Sequence, residues 1–445
     1  FSTLSPQTQF WYKQNSRQGV EQALKARVMK TGQFAPNMFL KTGIAVSYDA
    51  RSTGKVPPVR DQGALGTCWA FGAMGSMESN YYDTDQTELS PYYHNYFAYT
   101  IGNYPAFTLV GKDIFQEGGN DYMSMALLTR HTGAMTAKTV PYESPVPLTE
   151  IMVPEKTTGN IYNFSNLRDQ PELLKEKIFT YGPMTVHYNH NENNYNGAYY
   201  YNPDPTDYNH TVLLVGWDDT VSASNFKTPP PGPGAWLIKN TWGTSVGDQG
   251  FFWISYYDGT LVPGCFYQAS VNNSFDKVFM HDPLGLVSFL GYGTAQNPHD
   301  YFANVFTTSE DTTLYDVGLY SPAPGVAYDI QIFTNVTDGP PFAPSTPVST
   351  TKATAMESGF LMFPLSSPIA VSADSKFGVL VSTDYSSLVV VSPAIPVEYK
   401  IDNYTDQAKA NPGESFIYNG TGWIDTLSLT DTFPNMNVSL KVYAR

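Results

Sequence analysis

Over the last third of the chain, hydrophobic positions alternate with period two. Val326, Tyr328, Ile330 and Ile332 fall on one face of an extended segment; Phe377, Val379 and Val381 repeat the pattern, as do Val438, Leu440 and Val442. Every second side chain of a strand points to the same face. Gly, Pro, Ser and Asp fill the intervals and no helical periodicity appears, so residues 269–445 are predicted to form an all-β sandwich or jelly roll. Upstream the pattern differs. Helices are expected from near Thr67 through Met77 and over Tyr122–His131. Short apolar runs at Met184–Tyr188, Thr211–Trp217, Trp236–Lys239 and Gly250–Tyr256 then predict strands, interrupted by the Thr228–Gly234 run TPPPGPG. Such a proline-rich stretch is neither helix nor central strand, so it reads as a surface loop. Helices first and strands later predict an α+β unit over residues 45–268. In residues 1–44, Val20, Leu24 and Val28 repeat at helical spacing and Gly32 is placed as a C-cap, predicting a short amphipathic helix over about Ser16–Lys30.

Charge separates that first segment from the rest. Its six Lys and Arg face one acid, Glu21, for a net +5; the whole chain carries −15, so the remainder carries −20. A chain this acidic lacks the cationic footprint of a nucleic-acid binder. Charged residues make up only 15% and aromatics another 15%, a balance opposite to that of disordered chains. With two cysteines, Cys68 and Cys265, a disulfide scaffold and a four-thiolate metal site are both excluded. No apolar run approaches the roughly 18 residues of a membrane span. Phe1 opens a polar stretch without the basic start and apolar core of a secretory leader.

Chemistry concentrates in three ordered blocks. The first is Gln62–Phe71, QGALGTCWAF, with Cys68 at an expected helix start. Unpaired N–H groups and the dipole of a helix N-terminus favour a thiolate, the nucleophilic form. The second, Tyr208–Trp217, places His210 ahead of an apolar strand. The third, Trp236–Gly243, ends a strand on Asn240. His210 follows Cys68 by 142 positions, within the 130–150 typical of one cysteine-peptidase architecture, whereas Asn240 follows by 172. The excess lies around TPPPGPG, where a hairpin insertion leaves Asn240 in place.

These blocks resemble the papain family of cysteine peptidases. The resemblance implies a two-lobed α+β fold, a helical lobe plus a β-barrel lobe, over residues 45–268. It implies Cys68 as nucleophile, His210 as its proton partner, Asn240 as the residue orienting His210, and Gln62 as an oxyanion donor. Trp242 would shield the Asn240–His210 bond. Gly118 and Gly119 fall where the family binds substrate backbone, and Gly182–Pro183 where it enters the barrel. Asn120, Asp121 and Thr211 would line the pocket for the second residue before the cleaved bond, with Asp121 favouring basic or polar side chains. Leu65 and the missing cysteines depart from the family, Gly72 stands where it usually has Ser, and Cys265 is expected to be a buried apolar thiol.

Residues 269–445 resemble the lectin-like domain that follows the peptidase in some prokaryotic surface proteases. The carriers are Phe279–Gly285, Ala303–Phe306 and Ala410–Phe416. This implies a secreted or cell-surface location, possible carbohydrate or cell-wall contact, and possible structural calcium with no ligands assigned; catalysis itself needs no cofactor. Residues 1–44 occupy the place of a pro-segment, with a permanent arm as the alternative. Protein or peptide substrates are expected, and a surface adhesion protein using the peptidase region only as a scaffold is the rival reading. His187 and His190 are expected on a solvated surface. Seven Asn-x-Ser/Thr sequons, beginning at Asn163, Asn209, Asn272, Asn335, Asn403, Asn419 and Asn437, are ascribed mostly to chance.

Overall fold

The computed structural model describes residues 44–101, 104–105, 113–130, 132–143, 148, 157–270, 275–294, 296–337, 339–342, 346–388, 393–402 and 404–445. The helix expected over Ser16–Lys30 lies outside these residues. Near the start of the described chain stands the helix Cys68–Glu78, buried on nearly every side. Gly72 and Gly75 let strands approach it: a Cβ on Gly72 would lie 3.0 Å from the Thr185 methyl and 3.1 Å from that of Thr211, and one on Gly75 would lie 3.4 Å from Leu213. Three further helices frame it. Pro91–Tyr99 starts with Ser90 capping Tyr93 N–H and Pro91 in the first turn. Asp121–Thr129 starts with the Asn120 side chain accepting from Met123 N–H, and Asp121 adds a favourable negative charge there. Pro171–Tyr181 begins on proline and stops at Gly182, whose φ of 118° only glycine adopts readily.

The expected strands are all present, shifted by a residue or two at their ends. They form an eight-stranded sheet. In spatial order it runs Val262–Pro263, Met184–Tyr188, His210–Asp218, Ala235–Lys239, Phe251–Ser255, Tyr199–Tyr200, Tyr195–Asn196, and Ser47–Asp49 joins the edge of His210–Asp218. The proline-rich loop leaves this sheet after Asp218 and returns at Ala235. It is mostly exposed, but Gly232 and Gly234 press against the rings of Tyr257 and Tyr256.

The C-terminal region is two facing six-stranded sheets with a three-stranded sheet beside them. The three alternating stretches read from the sequence all enter one core: Val326, Ile330, Ile332, Phe377, Val379, Val381, Val438, Leu440 and Val442 are wholly buried together. Among the described residues, only the short 3-10 turn Thr426–Leu429 is helical there.

One sheet crosses the expected boundary at 268/269. Its order is Cys265–Ser270, Thr157–Asn163, Gly359–Val371, Thr312–Ser321, Leu440–Ala444, Lys277–Met280. Two strands from the first region thus complete a C-terminal sheet, and the boundary falls inside Cys265–Ser270. Ile161, Cys265 and Tyr267 share a core with Ala73 and Met77 of the Cys68 helix and with Tyr320, Phe360 and Tyr443. Polar contacts reinforce the joint: Lys177 and Tyr181 both reach Glu357, and Tyr443 Oη donates to Thr129 O at 2.6 Å.

Candidate active site

Cys68 is the first residue of its helix. The turn before it is tight: Gly66 N–H donates to Phe115 O at 2.7 Å, and a Cβ on Gly66 would sit 2.9 Å from Gln116 O. Thr67 O takes the N–H groups of Ala70 and Phe71. The Cys68 sulfur lies near the polar groups of Trp69 and Thr211, which favour its thiolate.

His210 opens the strand His210–Asp218, and Asn240 follows its neighbour Ala235–Lys239. His210 Nε2 lies 2.9 Å from Asn240 Oδ1. That oxygen can only accept, so Nε2 carries the hydrogen and Nδ1 is the ring nitrogen left for proton exchange. Asn240 Oδ1 also accepts from Thr241 N–H at 2.8 Å, which fixes the amide's orientation. The Trp242 indole lies flat on the His210 ring, with centroids 4.4 Å apart and planes 16° apart. Gln62 is locked to the same segment: its N–H donates to Thr241 O, its Oε1 accepts from Thr241 Oγ1 at 2.6 Å, and its Nε2 donates to Leu65 O at 2.8 Å. The structure thus gathers Gln62, His210, Asn240 and Trp242 from separate blocks, and the helix that Cys68 opens packs against the His210 strand through Gly72 and Thr211.

Burial pushes the Cys68 thiol up, against the downward pull of the Thr211 and Trp69 hydrogen bonds. It pushes the His210 imidazole down to about 4, against the Asn240 bond. Each group alone is therefore driven to its neutral form.

Gly118 and Gly119 have different reasons to be glycine. Gly118 has a φ of 77° and open space around its missing side chain; Gly119 lies on the Trp69 ring, where a Cβ would come within 2.2 Å. The Gly118 carbonyl accepts from Tyr99 Oη at 2.5 Å.

Two expectations are corrected here. Asp121 is no open acidic wall: its carboxylate is 6% exposed and is engaged by His187 Nε2 at 2.9 Å, Tyr267 Oη at 2.8 Å and Thr185 Oγ1 at 3.1 Å. With its oxygens committed internally, it offers no free charge to a basic side chain. His187 and His190 are not a solvated pair either. His187 is 6% exposed, stacked on Tyr208 at 4.8 Å, and its Nδ1 lies 2.9 Å from Thr211 Oγ1. The half-buried His190 sets its ring edge-on to Trp242 at 4.6 Å. The available signal for His187 was Gly72, whose small size admits Thr185 and Thr211 beside it. Cys265 is wholly buried as expected, its thiol pushed well up by burial and then by Asp121. Among the described residues, no three His, Cys, Asp or Glu side chains are grouped to hold a metal ion.

Comparison with known proteins agrees with this geometry. Residues 44–262 match the model of the papain family cysteine proteases, and residues 278–444 that of the lectin-like domain. Cathepsin J of Mus musculus is 28% identical over 223 residues, 48% of this chain and 61% of that protein. A cathepsin L-like peptidase of Aedes aegypti is 28% identical over 214 residues, 47% and 58%. The chain thus spans about three fifths of the length of these curated relatives. Two solved structures of the clostridial cysteine protease Cwp84 are 26% identical to it. One, after propeptide cleavage, covers 90% of this chain and 99% of its own, with a TM-score of 0.73. The other, the cysteine protease and lectin-like domains of this surface layer associated protein of Clostridium difficile, covers 90% and 89%, with a TM-score of 0.72. The chain therefore combines a papain family cysteine protease domain with a C-terminal lectin-like domain.

Proposed function

We propose that this protein is a cysteine endopeptidase that cleaves protein substrates through Cys68, His210 and Asn240. The observation that carries the reading is a thiol on a helix N-terminus together with a histidine whose Nε2 is fixed by Asn240 beneath Trp242. Cys68 gives its proton to His210 Nδ1 and attacks the peptide carbonyl; the same nitrogen then returns the proton to the leaving amine. An amide carries two N–H donors, and the Gln62 N–H not spent on Leu65 O joins the Cys68 N–H in binding the oxyanion. Gly118, beside the cleft, pairs with substrate backbone. A scaffold without activity would have no use for this convergence.

The lectin-like domain supports a surface location and contact with carbohydrate. Residues 1–44 act as a pro-segment, drawn by their +5 to a body of −20. The test is hydrolysis of an unfolded protein and of a peptide library by the wild type and Cys68→Ala. Loss of cleavage in the variant with an unchanged circular dichroism spectrum supports the reading; retained turnover refutes it. Removing residues 1–44 is expected to raise activity on small peptides, and the added peptide 1–44 to inhibit again, less strongly at high salt. Unchanged activity would make the segment an arm.

A further inference from the structure

The glycine segment proposed to bind substrate backbone stands on residues of the lectin-like domain. Gly119 lies against the Trp69 ring, and Tyr99 Oη donates to the Gly118 carbonyl at 2.5 Å. Trp69 and Tyr99 meet edge to face, with ring centroids 6.3 Å apart. Both share one buried core with Leu284, Val287 and Tyr404, which belong to the lectin-like match at residues 278–444. We propose that the Asp282–Gly285 turn of the lectin-like domain positions Gly118 and Gly119 for substrate, acting through Arg130 and Tyr99. The proposal rests on the reading of this segment as the place where substrate backbone binds.

Arg130 makes the connection. The helix Pro91–Tyr99 ends on Tyr99, and the last carbonyls of a helix lack partners inside it. The buried Arg130 supplies donors to them: Nη2 donates to Phe97 O and, at 2.9 Å, to Thr100 O, while Nη1 donates to Pro283 O at 3.0 Å. A guanidinium is a planar fork of fixed geometry. It therefore ties the end of the helix that carries Tyr99 to the turn of the other domain. That turn is held from its own side as well. Lys441 pairs with Asp282, both wholly buried. Leu284 N–H donates to Glu398 Oε1 at 2.5 Å, and Gly285 N–H closes the turn on Asp282 O at 3.0 Å.

The same turn presses on the helix that starts just beyond Gly119. Arg130 follows the last residue of Asp121–Thr129, and a Cβ on Gly285, whose φ is 77°, would lie 2.9 Å from that of Ala126. Tyr443 Oη adds a third hold on this end by donating to Thr129 O at 2.6 Å. The helix is thus fixed to the lectin-like domain in its last turn, while its cap Asn120 adjoins the glycines. Tyr99, Arg130 and the turn take no part in the proposed proton transfers, so their effect falls on substrate binding.

Tyr99 and Arg130 are thus positioning residues, and the readout in the full chain is the split between KM and kcat. Tyr99→Phe keeps the ring and removes the hydroxyl. It is expected to raise KM for a peptide substrate about 5–10-fold, the worth of one hydrogen bond. Its kcat should change less than about twofold, and the rate of Cys68 alkylation by iodoacetamide, a reagent too small to need the segment, should stay at the wild-type value. Arg130→Met and, inside the lectin-like domain, Gly285→Ala should raise KM in the same way. Because Arg130 acts through Tyr99, the double variant Tyr99→Phe/Arg130→Met should raise KM little more than the larger single change; a product of the two effects would refute the route. If Arg130→Met does not fold, Tyr99→Phe and Gly285→Ala decide alone. A wild-type KM in both, whatever their melting temperatures, means that the turn and its core are only structural. Gly118→Ala tests the underlying reading. Unchanged KM there would overturn the substrate segment and this proposal with it, whereas a raised KM there beside wild-type values in the other variants refutes this proposal alone.

Discussion

In residues 44–270, the side chains proposed for catalysis sit mostly at the ends of elements; in residues 278–444 buried polar side chains pair off inside the sandwich. Cys68, Asp121, His210 and Asn240 each stand at the start of a helix or strand or just beyond one. Element ends are where backbone groups lack partners and side chains can be aimed. In the C-terminal region, Lys441 meets Asp282, Asn304 bonds Ser415 and the Val438 carbonyl, and Glu398 accepts from Leu284 N–H and Asn437. These contacts fix strands to one another. Burial of polarity therefore has two uses in this molecule, chemistry in the first region and registration of strands in the second.

The contrast breaks if the first set is also only structural. Cys68→Ala and His210→Ala are each expected to lower kcat/KM by about 10³-fold or more, because they act as a unit. Asn240→Ala should cost less, about 10–100-fold, since it orients His210 without reacting. All three should melt close to the wild type. The bell-shaped pH profile of such a pair narrows if His210 loses its Asn240 partner: the acceptor holding the imidazolium is gone, so the alkaline limb moves down. Equal losses of stability and activity in all three variants would place these residues with the structural set.

The first region was largely legible in the sequence because its chemistry is tied to local signals. Cys68 opens a helix whose start Thr67 marks, and His210 and Asn240 flank apolar runs that read as strands. The sandwich core was legible from alternation alone, as at Val326–Ile332. What stayed hidden depends on long-range packing. His187 lies in a run of five buried positions, MTVHY, with no alternation to say which way it points. Asp121 looks like an exposed helix-start acid, and only the fold brings His187, Thr185 and Tyr267 to it. The strand Thr157–Asn163 gave no signal that it would join a sheet with Gly359–Val371 about two hundred residues on. The helices Pro91–Tyr99 and Pro171–Tyr181 did carry cap signals, Ser90–Pro91 and Pro171, and were missed.

That shared sheet makes a second prediction, about whether the two regions are separable at all. Phe360 is wholly buried. It pairs with Ile161 across the joint, packs edge-on to Tyr320 at 5.0 Å, and shares a core with Ala73 and Met77 of the Cys68 helix. Phe360→Ala should destabilise the protein by about 3–5 kcal/mol. Because the cavity opens into both regions, peptidase activity and the β-sheet signal should be lost in one transition at the lower temperature. Two well-separated transitions, with activity surviving the first, would show that the regions fold as independent units and that the joint is only a contact.

The smallest effect tests the structural set itself. Burial, then the nearby Asp282, raises the Glu398 carboxyl from 4.5 to about 8. A raised folded value means that the folded state holds a proton the unfolded chain releases between pH 4.5 and 8. The stability this group contributes is complete below pH 4.5 and lost as pH rises through 8. Glu398→Gln copies the neutral acid at every pH, keeping an oxygen for Leu284 N–H, so it should remove that slope. In a Cys68→Ala background, which prevents self-cleavage during heating, the variant and its parent should melt together near pH 4.5. At pH 7–8 the Gln form should be more stable by about 1–3 kcal/mol. A gap of the same size at both ends of the range would mean that Glu398 is ionised throughout, balanced by Lys441. The second region would then be holding Glu398 as a standing buried charge.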